Sequence, residues 1–164
     1  MVDSAFALDA IDRKILRLLQ ANGRMTNAAL AEAVGLTPTP MLQRMRKLEQ
    51  SGVIERYAAV VDPAKVGRPV LAFILVTLTS HDPGVHDKLL GQIQEMPEII
   101  ECHHIAGDED FLLKVAMRDI PELERLLFRL GRSGVIARIK TTFVLSSGKS
   151  GGPIPVDDTG EEAS

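Results

Sequence analysis

The chain has a single cysteine, Cys102, among 164 residues, so no internal disulfide braces it, and a reducing compartment is the expected setting. It also lacks any apolar run long enough to span a bilayer. Its start, MVDSAFALDAIDRK, carries acidic residues where a secretory signal needs a basic beginning and an apolar core. These absences point to a cytoplasmic protein without a membrane partner. No Ser/His/Asp set and no close Cys/His nucleophile pair stands out, which argues against an enzyme, and no cofactor is expected. What the chain does have is 45% hydrophobic and 25% charged residues, enough for one or two small globular domains.

The overall net charge of −3 is unevenly spread. Residues 1–65 are net +2 and residues 66–164 are net −5, so only the front of the chain suits a polyanionic partner. The front also holds its most informative stretch, LTPTPMLQRMRKLEQSG, from Leu36 to Gly52. Thr37 is a good N-cap, and Pro38 and Pro40 fall in the first turn, where backbone N–H groups have no intrahelical partner. At about 100° per residue, Met41, Leu42, Met45 and Leu48 share one arc and are expected to pack inward. The opposite arc, with Thr39, Gln43, Arg46, Lys47 and Gln50, carries donors and no carboxylate, which suits phosphates and base edges.

Just upstream, Thr26 caps a short helix closed by Gly35, and a further helix opens at an Asp9/Asp12 capping box and runs to about Asn22. Helix, tight glycine turn, helix is the helix-turn-helix arrangement. Double-stranded DNA is therefore the expected partner of the front. Thr37, Thr39, Gln43, Arg46 and Lys47 are the expected contacts, with Arg44 on the flank for phosphate. A β-prone stretch from Val53 to Val61 follows and is expected as a linking strand.

Beyond Gly67-Arg68-Pro69 the pattern is strand, helix, strand, strand, helix, strand. The strand Val70 to Leu78 is apolar on both faces. A helix opens at Asp82-Pro83 and stops at Pro97, and Ile99 to Ala106 and Phe111 to Ala116 form a hairpin through Gly107-Asp108-Glu109. A second capping box, Asp119 with Glu122, opens a helix closing at Gly131, and Val135 to Leu145 is the last strand. The expected fold class is thus α+β: a three-helix helix-turn-helix domain (1–60), a linker (61–69), a ferredoxin-like βαββαβ domain (70–146) and a flexible acidic tail (147–164). Helices on one side only would leave an apolar sheet face bare, so a homodimer is expected to cover it.

Three segments, LDAIDRKILRLLQANGR, LTPTPMLQRMRKLEQSGVIERY and ECHHIAGDEDFLL, resemble in order the Lrp/AsnC (leucine-responsive regulator / asparagine regulator) family of transcription factors, the first two its leucine-responsive branch. The resemblance covers about Leu8 to Leu145. It implies a transcriptional regulator in which helix-turn-helix heads sit on a ligand-sensing (RAM) domain, assembled as a dimer and further to a tetramer or octamer. It also implies a small effector, usually a free amino acid, held between neighbouring dimers. The positions it implies are His104, Gly107, Asp108 and Asp110 at the hairpin, with Ile120, Phe143, Val144 and Leu145 lining the same region. Glu109, at a position often aromatic in the family, and His104, where an apolar residue is common, are departures, so the effector's identity does not carry over.

Other readings are a DNA-compacting architectural protein without a ligand, a decarboxylase acting on haem precursors within the same architecture, and a metal site at Cys102, His103 and His104. On a strand, Cys102 and His104 share a face while His103 points away, so at most two soft ligands come together.

Overall fold

The computed structural model describes residues 7–156; the acidic end of the expected tail, from Asp157 on, lies outside the described residues. Among these, residues 7–60 and 149–156 form one compact unit and residues 61–148 another. The front unit is thus discontinuous in sequence.

The front unit has three helices, α1 (Ala10–Ala21), α2 (Asn27–Val34) and α3 (Pro38–Gln50). The capping box of α1 forms as expected, Asp12 N–H donating to the Asp9 side chain at 2.8 Å and Asp9 N–H to the Asp12 carboxylate at 3.3 Å. The Thr26 side chain caps α2, and Gly35, at φ 72°, ends it in the left-handed region that glycine enters without a Cβ penalty. Ile15 and Leu16 of α1, Leu30 and Ala31 of α2, and Met41, Met45 and Leu48 of α3 form the core.

Four expectations for this part of the chain change. Thr37 stands at the N-cap of α3 but makes no side-chain capping bond; Pro40, at the third helical position, lacks one of the N–H groups that such a cap serves. Leu42 is 40% exposed rather than buried, since the core arc is already filled by its three apolar neighbours. Residues 53–60 have no strand partner and remain irregular, although their β-propensity is real, because a strand needs a neighbour to pair with. And the segment expected to be mobile from residue 147 returns to the front unit: Gln20 both donates to the Ile154 carbonyl at 3.0 Å and accepts from its N–H at 2.7 Å. Arg17 donates to the Val156 carbonyl at 3.0 Å, and the Val156 side chain packs on the three-helix core. A three-helix head buries little apolar surface by itself, and this strap adds to it.

The second unit carries β1 (Val70–Leu78), α4 (Pro83–Gln94), β2 (Ile99–His104), β3 (Phe111–Met117), α5 (Ile120–Gly131) and β4 (Ile136–Phe143), after a short 3₁₀ turn at Ala64–Val66. The strand order is β2-β3-β1-β4, with every neighbouring pair antiparallel, which is the ferredoxin-like arrangement. Alternate residues of β1, Ala72, Ile74, Val76 and Leu78, are buried with Leu89 and Ile93 of α4 and Leu123, Leu126 and Leu130 of α5. Leu71, Phe73 and Leu75 face the other way and are only half-buried. The cross-strand register places Leu112, Lys114, Lys140 and Thr142 on that same open face, so it is an apolar stripe with charged margins rather than apolar throughout. One margin is a Lys114–Glu101 ion pair at 2.7 Å.

The second capping box forms only by half. Asp119 accepts from the Glu122 N–H at 2.7 Å, but the buried Glu122 carboxylate accepts from the Arg118 N–H at 2.6 Å instead of that of Asp119. Arg118 and Arg68 guanidinium groups complete its surroundings at 3.2 and 3.4 Å.

Candidate functional site

On α3 the residues expected to meet DNA separate into two groups. Thr37, Thr39, Gln43, Arg46 and Lys47 are all exposed, and on the helix the last four, with Gln50, form one continuous outward arc. Glu49, the only carboxylate of the helix, lies on its flank and accepts the Tyr57 hydroxyl hydrogen bond at 3.1 Å. Burial first, and then this carboxylate, raise the Tyr57 pKa.

Arg44 belongs elsewhere. Its guanidinium donates at 2.6 Å to both Asp9 and Asp12, the two members of the α1 capping box. The bond to Asp9 comes first among the causes that raise its pKa. Asp9 is correspondingly lowered, chiefly by the Asp12 N–H and also by Arg44. Arg44, expected as a phosphate ligand, thus ties the first helix to the third in this structure. A carboxylate pair 32 and 35 residues upstream is not a local spacing, so no helical periodicity could have revealed this.

In the second unit the expected effector residues do not come together within one chain. The loop Ala106-Gly107-Asp108-Glu109 is closed by Ile105 N–H donating to the Asp110 carbonyl at 2.9 Å. It lies beside the C-terminal end of β1, where Val76 pairs with Phe111. Phe143 pairs with Ala72 at the opposite end of β1, and Val144 N–H donates to Leu71 there. Ile120 starts the helix that follows Met117, which pairs with Val70 at that same far end. At about 3.3 Å per residue the two groups are separated by about 20 Å along the strand. Within one chain the antiparallel register therefore sends the end of β4 away from the hairpin, so a site using both groups draws them from different copies, as expected of an effector held between neighbouring dimers.

Each residue also acquires a specific setting. Asp110 is nearly buried and acts as a staple: its carboxylate accepts from the Leu78 N–H at 2.7 Å and lies 3.3 Å from His81 Nδ1. Asp108 is exposed. At Gly107 a Cβ would meet nothing within 4 Å, and its φ is not in the left-handed region, so nothing within the chain requires glycine there. His104 stacks on Phe111 with ring centroids 5.0 Å apart and meets His86 of α4 edge-on at 4.8 Å. His86 was not singled out from sequence; the histidines meet because α4 passes over the end of β2, which no local pattern announces. At the far end Ile120, Phe143 and Leu145 are 55%, 46% and 97% exposed, and Val144 is half-buried. Cys102 faces the helices and is raised in pKa by burial, while His103 lies on the opposite face against Glu101 at 3.4 Å. Among the described residues no three His, Cys, Asp or Glu side chains converge as a metal site.

Residues 71–154 match the Lrp/AsnC ligand binding domain and residues 8–55 a winged helix-turn-helix DNA-binding domain. The leucine-responsive regulatory protein of Haemophilus influenzae is 45% identical over 121 residues, covering 74% of this chain and 73% of that protein. That of Escherichia coli K12 is 42% identical over 120 residues, covering 73% of each. Among solved structures, a transcriptional regulator from Neisseria meningitidis in complex with L-Met superposes with a TM-score of 0.86 at 32% identity, covering 92% of this chain and 98% of that one. An AsnC family transcriptional regulator from Agrobacterium tumefaciens gives 0.85 at 34% identity, covering 93% and 99%.

Proposed function

The chain belongs to the Lrp/AsnC family of transcriptional regulators, and from that premise we propose that α3 reads DNA sequence through Thr39, Gln43, Arg46 and Lys47, under control of a free amino acid. The observation that carries this is the outward arc of α3, polar or basic at every position and free of carboxylate, on a helix-turn-helix head. Gln43 offers an amide able to pair two-pronged with adenine, Arg46 a guanidinium able to do so with guanine, and Lys47 a point charge for phosphate. Thr37, with its hydroxyl unused by the cap, is placed for a backbone phosphate at the helix start. Arg44 is left out of the contact set because Asp9 and Asp12 occupy it.

The second unit is the sensing and assembly part of this reading. The open sheet face, with Leu71, Phe73, Leu75 and Leu112, pairs with a second copy to give a homodimer. Two reading helices then meet half-sites about 10 bp, one helical turn, apart or a multiple of it. The effector-binding groups lie at opposite ends of one sheet, so the hairpin residues His104, Gly107 and Asp108 of one copy join Ile120, Phe143, Val144 and Leu145 of another. A ligand held this way favours the assembled state, and tetramers or octamers follow from repeating the contact. The relative from Neisseria meningitidis was solved with L-methionine, which supports an amino acid here. No helix among the described residues is long and apolar enough to cross a membrane, in keeping with a cytoplasmic regulator.

Gel-shift titrations on a duplex selected by the protein itself test the DNA reading. Gln43→Ala changes the preferred sequence. Lys47→Ala lowers affinity on every duplex and reduces the salt slope by about one phosphate's share. Unchanged affinity and preference in both variants refutes it. A thermal-shift screen of the twenty amino acids, with light scattering for size, tests the effector; no shift and no change in mass with any of them refutes that half.

A further inference from the structure

We propose that Leu42 is a base-reading residue whose side chain seats against the 5-methyl group of a thymine in the major groove; this rests on the DNA-reading role of α3 given above. Leu42 is the fifth residue of α3, Pro38–Gln50, and so lies in the half of a recognition helix that meets base edges. Its apolar neighbours Met41, Met45 and Leu48 are 0%, 5% and 0% exposed, whereas Leu42 is 40% exposed. By helical geometry it stands about 40° from Arg46 and about 60° from Thr39, on the flank of the outward arc that leads to Met45, with Glu49 about 20° away and two turns further on. An isobutyl group there makes no hydrogen bond to phosphate or base. The thymine methyl is the one apolar group that the floor of the major groove displays, and it is what aliphatic side chains contact there.

The arrangement divides the work of recognition. Gln43, Arg46 and Thr39 read hydrogen-bonding edges, while Leu42 separates thymine from cytosine, which lacks the methyl. The apolar surface that Leu42 exposes in the free protein is removed from water on binding, so the contact strengthens only the matched complex.

The test uses the full chain and a duplex chosen by in vitro selection with the unmodified protein. Each thymine is replaced singly by deoxyuridine, which deletes the methyl and leaves the hydrogen-bonding edge intact. Unmodified protein should lose about fourfold in affinity at one thymine per half-site, the size expected for burying one methyl group. Leu42→Ala should bind the thymine and uracil duplexes equally, and Leu42→Met, which keeps an apolar side chain, should retain most of the difference. Binding to a scrambled duplex should be unchanged in both variants, which separates a lost base contact from a damaged head. If the alanine variant melts more than a few degrees low, Leu42→Gln, of similar length, replaces it with the same expected outcome.

A thymine-to-uracil ratio in Leu42→Ala or Leu42→Gln equal to that of the unmodified protein overturns the proposal, as does a selected site in which no thymine responds, while Gln43→Ala still shifts preference and keeps the reading of α3 intact. A protein that selects no sequence over a scrambled one overturns both.

Discussion

Replacing Arg44 by alanine separates two roles that a basic residue on a reading helix can have. Its guanidinium lies 2.6 Å from both Asp9 and Asp12, and the Asp12 side chain is only 4% exposed. Without Arg44, Asp12 keeps one hydrogen bond, the 3.3 Å contact from the Asp9 N–H, and a carboxylate stays buried with no opposite charge. Breaking a fully buried pair costs about 3–5 kcal/mol. The Arg44 side chain is 28% exposed, so water reaches part of the gap, and about 2 kcal/mol is the expected loss. For a unit of this size that is a fall of roughly 10 °C in melting temperature.

Circular dichroism melting, with hydrogen exchange on α1 and α3 to locate the loss, measures it. The double variant Asp12→Asn/Arg44→Gln, which removes both charges, should recover more than half. The acid limb should change too. The Asp9 carboxyl lies below its usual 3.8 in the folded chain, held first by the Asp12 N–H and then by Arg44. Its contribution is complete above pH ~3.8 and lost as pH falls through the folded value, and the loss should be shallower in Arg44→Ala. A variant that melts within about 2 °C of the parent while its DNA salt slope falls by about one would refute this reasoning. Arg44 would then be the phosphate ligand that the sequence suggested.

Deleting residues from 153 onward removes the Val156 packing and the Gln20 and Arg17 bonds to the strap. With Val156 half-buried, about 1 kcal/mol should be lost, read as faster amide exchange in α1; unchanged exchange would show that the strap contributes nothing to the core. Asp110→Ala leaves the Leu78 N–H without its 2.7 Å acceptor and should cost about 1–3 kcal/mol, whereas exposed Asp108→Ala should leave melting unchanged and alter only the response to an amino acid. Equal melting of the two variants would count against the staple. Glu122 is depressed below its usual 4.5, first by the Arg118 N–H and then by the Arg118 and Arg68 charges. Glu122→Gln should therefore destabilise at neutral pH and flatten the stability loss below pH ~4.5. An acid limb as steep as the parent's would refute that.

The division between legible and hidden follows from what each signal measures. Caps and periodicities are local, so the five helices, the Asp9/Asp12 box and the order of the four strands could be read from sequence. The strand from residue 53 could not be refuted that way, because β-propensity describes a residue's fit to a sheet and says nothing about whether a neighbour is present. Leu42 misled because a helical wheel fixes direction but not how wide an arc the core can accept. At the candidate effector site the residue types were legible and their grouping was not: Asp110 was recognised as a turn acid, while its bond to Leu78 depends on where β1 ends. The 20 Å between the two ends of the sheet emerges only from the antiparallel register.

Because the strap comes from residues 154–156 and the helices it braces from residues 10–50, the head is begun before the sensory unit and finished after it during synthesis. A ribosome has already released the whole sensory unit before Val156 emerges. A nascent chain stopped before residue 154 therefore carries an unbraced head, and a frameshift after the codons of the second unit would injure a head whose helices are encoded before that unit.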